Sequence, residues 1–353
     1  MELSERKQRI LQAIIDEYIG TAEPVGSRSI SKRDELGLSS ATIRNEMADL
    51  EDMGFLVKPH TSAGRIPSDI GYRFYVNSLM QSYQISANAI ESLRQELTNR
   101  VNQLDMLIKK ASSLTSALTE YTTVVTSPAL NRLVIRKLDL IPMSGGNAML
   151  ILVTKSGVVK NRMIAVDINE SEANKMTKAL NEGLSGVVAD DIDEDLLSII
   201  AGRISHSGIS TEKTMAVLKY VYEFIMSQDE RDVYVDNARS ILRYPEFADV
   251  DKARDMLSFL EDRDNLIKII DSGNNNDGVG IKIGTENNVR ELENTSLITV
   301  NYKVGDRTLG KIGVIGPKRM NYAKVVASLD LISGYIDEIL KELFTQEGED
   351  RYE

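Results

Sequence analysis

The sequence predicts a multidomain protein of the α+β class, and three observations lead to this prediction. The first 80 residues contain three helical patterns followed by two short extended segments. Farther along, strand patterns are interrupted by a block of helical patterns and then resume. The chain of 353 residues is also longer than a single hydrophobic core usually supports. Together these features favour a small N-terminal unit joined to a larger body that contains a sheet.

The N-terminal region is predicted to contain three helices. Ser4 can cap the first helix, whose apolar residues recur at helical spacing until Gly20, where the helix is expected to end. A short second helix is predicted from Ser27 to Asp34. The third helix is predicted to begin at Ser39 or Ser40.

The third helix is amphipathic, and a hairpin is expected to follow it. The apolar residues that share its buried side are Ile43, Met47 and Leu50. The polar residues that flank or occupy the other side are Thr42, Arg44, Asn45 and Asp49. Two extended pieces follow, Phe55 to Lys58 and a return near Ile66, separated by a polar loop from Pro59 to Arg65. The order is therefore three helices and then a wing.

A connector helix is predicted at 81–120. Between Ala87 and Leu118 apolar residues recur with a seven-residue pattern. Two interpretations stay open, because the pattern is short for a coiled coil. The segment is either an amphipathic helix packed on its own domain or a helical seam between subunits.

The remainder of the chain is predicted to alternate between strands and helices. Strands are expected at Leu133–Leu140, Ala148–Thr154, Val158–Val166, Val233–Val235, Val279–Ile283, Leu297–Tyr302 and Leu309–Ile315. Helices are expected at Glu172–Leu184, Asp193–Arg203, Thr211–Met226, Asp249–Leu260 and Tyr322–Leu340. A polar loop from Ser272 to Gly278 ends the helical block. This order favours one sheet domain into which a second domain is inserted, with a single continuous domain as the alternative.

The composition excludes several kinds of site. Cysteine is absent, which excludes disulfides, thiolate catalysis and cysteine-based metal sites. His60 and His206 are the only histidines, so a metal site built from imidazoles is not expected, and no cofactor is predicted. The net charge of −11 requires that any nucleic acid be bound locally. No apolar run approaches the roughly 20 residues of a membrane helix, and the start is too polar for a signal peptide, so a cytoplasmic protein is expected.

The third helix is the candidate for reading DNA bases. The second helix of a helix-turn-helix enters the major groove and presents its first turn to base edges. Arginine suits guanine, asparagine suits adenine, and alanine can contact a thymine methyl group. The candidate reading residues are Ala41, Thr42, Arg44 and Asn45. Ser39 and Ser40 lie at the start of the helix, where free backbone amides favour a DNA phosphate.

The second helix and the wing are expected to contact the DNA backbone, which positions the domain without selecting a sequence. The candidate residues are Ser27, Arg28, Lys32, Lys58, His60, Thr61, Ser62 and Arg65. The acidic residues expected on other parts of the domain, where they would repel DNA, are Asp16, Glu17, Glu51 and Asp52.

Other functions were weighed against DNA binding. A three-helix unit with a hairpin also occurs as a protein-docking module. His206 lies between serines, but no acidic partner or oxyanion framework is indicated, so a catalytic role is not expected. The glycines at Gly278, Gly280 and Gly284 do not match a dinucleotide-binding pattern. The protein is therefore not expected to be an enzyme.

Several long segments of the chain have a pattern typical of one protein family. In the first 80 residues they are EPVGSRSI at Glu23 to Ile30, SSATIRNEMADLEDMGFL at Ser39 to Leu56 and HTSAGRIPSDIGYRFYV at His60 to Val76. Farther on they are YPEFADVDKARDMLSFLED at Tyr244 to Asp262, IGTENN at Ile283 to Asn288 and GKIGVIGPKRMNYAKVV at Gly310 to Val326. These segments resemble the HrcA family of transcription repressors. The resemblance runs in order through nearly the whole chain and is weaker between Gln81 and Asn131.

The resemblance implies a fold and a function. It implies a winged-helix DNA-binding domain at 1–80, a GAF-like domain at 121–187 and 279–345, and an inserted dimerising domain at 188–278. It also implies a bacterial homodimer that binds an inverted-repeat operator called CIRCE and represses chaperone operons. Heat would release the operator, and the chaperonin would help restore the active repressor. GAF-like domains elsewhere bind small ligands, and a ligand for this one stays unassigned.

Overall fold

The computed structural model describes residues 3–60, 64–98, 104–128, 132–226, 231–273 and 278–349. Residues up to 80 form an N-terminal unit, called the head. Its elements are α1 (Glu5–Thr21), α2 (Ser27–Ile30), α3 (Ser40–Asp52), β1 (Leu56–Val57), β2 (Ile66–Pro67) and α4 (Asp69–Phe74), which continues into a π-helical turn (Tyr75–Leu79). β1 and β2 pair antiparallel, so three helices and a hairpin follow one another as predicted.

The ends of the first two helices correct the sequence prediction. Ser4 caps α1 as expected, since its hydroxyl accepts a hydrogen bond from the backbone N–H of Lys7. The helix does not end at Gly20, however. It continues through Thr21 and stops because Ala22 adopts a left-handed conformation with φ 58°. α2 is also shorter than predicted, because after Ile30 the chain tightens into turns with hydrogen bonds three residues apart.

The predicted connector contains two helices, α5 (Ala87–Thr98) and α6 (Leu104–Thr119). Residues 99–103 between them lie outside the described residues. The apolar side of α6, with Leu104, Leu107 and Ile108, is fully buried within this chain. For α6 the structure therefore supports packing on its own domain rather than a seam between subunits.

A five-stranded antiparallel sheet forms the centre of the larger unit, called the body. Its strands are β3 (Thr122–Thr126), β7 (Val233–Asp236), β8 (Gly280–Ile283), β9 (Thr295–Val304) and β10 (Arg307–Pro317), in the order β7-β3-β10-β9-β8. α6 and α12 (Tyr322–Glu349) lie on the side of Val125 and Val314, and α10 (Val250–Glu261) and α11 (Arg263–Asp271) on the side of Val124 and Ile315. Alternate residues of one strand thus face two different apolar cores.

A separate three-stranded sheet lies in the chain between β3 and β7. It consists of β4 (Ile135–Met143), β5 (Asn147–Thr154) and β6 (Val159–Ile164), paired as consecutive antiparallel hairpins. α7 (Glu170–Leu184), α8 (Glu194–His206) and α9 (Thr211–Met226) follow it. Leu138, Leu150 and Ile164 are buried on the side of these helices, whereas the opposite side of the sheet carries exposed residues.

The strands at 133–166 and at 279–315 were expected to form one sheet domain, but they lie in two separate sheets. The strands at 135–164 pair only with one another, and those at 280–317 pair with β3 and β7. Hairpins between neighbouring strands satisfy their hydrogen bonds locally, so β4–β6 can close as a unit without reaching the main sheet. The helices and strands predicted from periodicity are otherwise present, most within a few residues of the expected bounds. No helix within the described ranges is long and apolar enough to span a membrane.

Candidate nucleic-acid interface

The start of α3 is fixed by two serines. The hydroxyl of Ser39 accepts a hydrogen bond from the backbone N–H of Thr42 at 3.1 Å, which caps the helix. The hydroxyl of Ser40 lies 3.1 Å from that of Ser27, the first residue of α2. Ser27 is buried and bonded in this way, so its side chain ties two helices together. It also borders the basic cleft described below, and its predicted contact with DNA stays a prediction.

The buried side of α3 agrees with the prediction. Ile43, Met47 and Leu50 are buried in the core of the head. Glu46 is also buried, which the sequence pattern did not indicate, and it forms ion pairs with Arg6 and Lys7 of α1. These contacts hold α3 against α1 and set which side of α3 faces outward.

The outward side of α3 carries several of the predicted reading residues. Ala41, Arg44 and Asn45 are exposed, and Thr42 is half-buried beside its cap. Ala41 and Asn45 are four residues apart and so lie above one another on one face. Arg44 lies to one side of that face and borders a cleft. Ala41, Arg44 and Asn45 are therefore the predicted reading residues that the structure presents outward.

The cleft beside Arg44 is basic. It has a volume of about 260 Å³ and lies between α2, α3 and the wing. Arg28, Arg44 and Arg65 line it. Arg28 and Arg44 are exposed and have no ion-pair partner among the residues that the structure describes. Guanidinium groups in such a cleft can bind an anionic oxygen of a phosphate.

The wing strand is held at this cleft by backbone contacts. Val25 and Arg65 exchange backbone hydrogen bonds of 2.9 and 2.8 Å in an antiparallel bridge. Gly64 is required there, since a Cβ at this position would lie 2.4 Å from the carbonyl oxygen of Val25. Gly64 therefore allows the segment before β2 to approach Val25 closely.

Two of the residues predicted to contact the DNA backbone lie beside an acidic residue of the head. The Nε of Arg65 donates to a carboxylate oxygen of Glu51 at 2.7 Å, and the Nζ of Lys58 lies 3.8 Å from the same oxygen. Glu51 was expected on another part of the head, but it borders the wing because it lies two turns beyond Arg44 on α3. Sequence spacing could have indicated this, as residues 44 and 51 share a helix side.

The remaining predicted residues are placed as follows. Lys32 and His60 are exposed, so both can contact a partner. Thr61 and Ser62 lie outside the described residues. A carboxylate oxygen of Glu17 lies 3.6 Å from a guanidinium nitrogen of Arg33, and Glu17 does not line the cleft. Burial raises the pKa of Asp16, and its carboxylate accepts a hydrogen bond from the hydroxyl of Tyr75 at 3.0 Å.

The head presents a polar exposed helix beside a basic cleft, and DNA-binding proteins use surfaces of this kind. Residues 105–326 match the family model described as HrcA protein C terminal domain. The heat-inducible transcription repressor HrcA of Acetivibrio thermocellus is 40% identical over 97% of this chain and 98% of its own length. The same repressor of Ruminiclostridium cellulolyticum is 41% identical, with 97% and 99% covered. The chain belongs to the HrcA family of heat-inducible transcription repressors, which confirms the resemblance.

A solved structure has the same fold. It is described as the crystal structure of a hypothetical protein at 2.2 Å resolution. Its sequence is 24% identical to this chain, and the match covers 97% of this chain and 100% of the other, with a TM-score of 0.65. The similarity shows that this mixed helix-and-sheet architecture occurs in an experimental structure.

Proposed function

We propose that the protein is a repressor of heat-shock genes that binds an inverted-repeat operator, CIRCE, as a homodimer. The observation that carries this proposal is the exposed first half of α3, with Ala41 and Asn45 outward and the basic cleft beside them. On this proposal α1–α3 and the β1–β2 hairpin act as a winged-helix domain. The third helix enters the major groove, as in other helix-turn-helix domains.

The residues of the head are proposed to have three roles: contact with bases, contact with phosphates, and support of the first turn of α3. Asn45 pairs with an adenine, Ala41 contacts a thymine methyl group, and Arg44 reaches a guanine from the side of the helix. The residues proposed to hold phosphates are Arg28, Lys32, Lys58, His60, Thr61, Ser62 and Arg65. Ser39, Ser40 and Thr42 support the first turn, whose backbone amides also favour a phosphate.

The three-stranded sheet is proposed as the dimer contact. Ile141, Met143, Val159 and Met163 are 43% to 58% exposed on the side that the helices leave open. Ile141, Met149 and Met163 lie side by side across the three strands. Lys137 and Asp139 precede this row on β4, and the Nζ of Lys137 lies 2.6 Å from a carboxylate oxygen of Asp139. A face that carries a positive and a negative charge beside apolar residues can pack against the same face of a second copy about a two-fold axis.

A revised division into domains follows from this sheet. We propose that residues 132–226 form the inserted dimerising domain, in place of the predicted 188–278. The five-stranded sheet with α6, α10, α11 and α12 would then be the GAF-like domain, and α5 would be the connector in place of the predicted 81–120. This division keeps each sheet whole within one domain, which the predicted boundaries do not.

Heat would act on the arrangement of the two heads. A second head that is already tethered binds at a high effective concentration, so dimer geometry multiplies the affinity of a single head. Each loss of about 1.4 kcal/mol in binding lowers affinity about tenfold, so a small loosening releases DNA. By family resemblance, the chaperonin returns the repressor to its active form in the bacterial cytoplasm, where the bound form lies on the nucleoid.

A gel-shift experiment tests the proposed function. The CIRCE duplex and a scrambled duplex of equal length are titrated with the purified protein at two salt concentrations and two temperatures. We expect tighter binding to CIRCE, a decrease of affinity with salt, and loss of binding at heat-shock temperature without chaperonin. Equal affinity for both duplexes would contradict sequence-specific repression, and heat-independent affinity would contradict the release step.

A ligand-responsive regulator is the second candidate, favoured by a cavity of about 750 Å³ in the body. Phe259 and Ile269 provide apolar lining, and Lys268, Lys282 and Arg290 provide positive charges. Clefts of this size that combine apolar and polar groups suit small molecules. Native mass spectrometry of the purified protein distinguishes the candidates, because a retained small molecule would favour the second.

A further inference from the structure

The head contacts the body through α4, and the first contact is made by Asp69. One carboxylate oxygen lies 2.6 Å from the Nζ of Lys318, which follows β10. The other accepts a hydrogen bond from the backbone N–H of Thr285 at 3.2 Å. A single side chain of the head is therefore bound by two separate segments of the body.

Arg73 makes the second contact, one helical turn after Asp69. Its Nε donates to a carboxylate oxygen of Glu286 at 2.9 Å, and a terminal nitrogen donates to the backbone carbonyl of Ile281 at 2.7 Å. Glu286 is itself oriented, since it accepts a hydrogen bond from the backbone N–H of Ile283 at 2.9 Å. The guanidinium is therefore held in one geometry by both a side chain and the backbone.

The turn that receives Asp69 fits only a glycine. Gly284 has φ +55°, and a Cβ there would lie 2.2 Å from a carboxylate oxygen of Asp69. The left-handed backbone and the missing side chain allow the carboxylate to approach the turn. The IGTENN segment is thus shaped to receive the head.

A third contact lies at the end of α1. Arg319 donates to the backbone carbonyl of Ile19 at 3.4 Å and is held by Glu246, with Nε to Oε1 at 2.7 Å. The buried ring of Tyr72 on α4 lies 6.0 Å from that of Tyr322. Two elements of the head therefore touch the body, which restricts rotation about either contact alone.

α4 is also fixed firmly to its own head. Ser68 caps it and donates to the backbone carbonyl of Gly54 at 2.6 Å. Gly71 allows α4 to approach β1 closely, because a Cβ there would lie 2.3 Å from the carbonyl oxygen of Phe55. An orientation imposed on α4 by the body is therefore passed to the whole head, including α3.

We infer that Asp69 and Arg73 are positioning residues that set the angle of each head so that two heads match the two arms of the operator. The inference rests on the proposed function. Ion pairs that are partly exposed add little stability one by one. Several of them on one short helix still define an orientation, and the gain from a tethered second head exists only when both sites can be reached together.

The test compares the intact dimeric protein with Asp69→Lys, with Lys318→Asp and with the double variant. Binding is measured on the inverted repeat, on a duplex with one arm, and on repeats whose arms are moved apart or together by one or two base pairs. We expect the single variants to bind one arm within about twofold of the unchanged protein but the full operator at least about tenfold more weakly. Their preference for one spacing should flatten. The double variant should regain both properties in part, because it restores the ion pair but not the acceptor for the backbone N–H of Thr285.

Asp251→Lys serves as the matched control. Asp251 forms an exposed ion pair with Arg254 on α10, so its reversal changes charge equally without touching the head. Sedimentation velocity is used to check that each variant has the same oligomeric state as the unchanged protein. Unchanged operator affinity and spacing preference in Asp69→Lys would overturn the inference, as would equal losses on one arm and on the operator. If the unchanged protein itself does not prefer the operator over random DNA, the proposed function fails and the inference falls with it.

Discussion

Glu51 on α3 is bonded to Arg65 on the wing, with 2.7 Å between the carboxylate oxygen and Nε. The same carboxylate lies near Lys58. An acidic residue thus holds two side chains that are proposed to bind phosphates. A DNA phosphate that binds Arg65 would have to compete with this carboxylate, so we expect Glu51 to lower the affinity for DNA of any sequence.

Glu51→Gln is therefore expected to strengthen binding to random DNA. We expect about a two- to fivefold gain, since a partly exposed ion pair is worth up to about 1 kcal/mol. Fluorescence anisotropy with a labelled random duplex measures the change, and Asp251→Asn controls for the altered net charge. A gain of equal size in both variants would assign the effect to net charge rather than to the wing.

Arg44→Ala and Lys58→Ala are expected to differ in kind. Arg44→Ala should weaken operator binding by about 1 to 3 kcal/mol and reduce the preference over random DNA. Lys58→Ala should weaken binding to both duplexes and lower the salt slope by about one unit. Titrations of both duplexes over a range of salt separate these results. An unchanged preference in Arg44→Ala would remove Arg44 from the reading residues.

Met163→Glu is expected to convert the proposed dimer to a monomer, because it places a charge in the exposed apolar row that Met163 forms with Met149 and Ile141. Sedimentation velocity measures the mass. The matched control is Met215→Glu, since Met215 is equally exposed but lies on α9 of the same unit. Dissociation by Met215→Glu alone would place the dimer contact on the helices instead.

Gly64→Ala is expected to destabilise the head. The new Cβ would lie 2.4 Å from the carbonyl oxygen of Val25, and crowding of this kind costs about 1 to 3 kcal/mol in unfolding free energy. Gly20→Ala is the control, because no atom lies within 4 Å of the new Cβ and the site is inside α1, where alanine is favoured by up to about 1 kcal/mol. Thermal unfolding followed by circular dichroism should show opposite shifts.

Features that depend on neighbours along the chain could be predicted from the sequence. The cap at Ser39 and the buried side of α3 at Ile43, Met47 and Leu50 are of this kind, because helical spacing alone determines them. Arg44 and Asn45 were expected on the polar side for the same reason, and both are exposed.

Features that depend on contacts between distant segments could not be predicted. The link from Ser27 to Ser40 and the contact of Asp69 with Lys318 require the tertiary fold. The same holds for the two sheets, since a strand pattern does not specify the partner strand. β3 was missed because all five of its residues are buried, so it shows no alternation of polar and apolar residues.

The most direct test of the account is the ratio of affinities for the CIRCE duplex and a scrambled duplex, measured for the unchanged protein and for Asn45→Ala at one salt concentration. We predict a large ratio for the unchanged protein and a decrease of about 1 to 3 kcal/mol in the preference for Asn45→Ala, with binding to the scrambled duplex nearly unchanged. An equal ratio for the two proteins would show that the outward face of α3 does not read the operator.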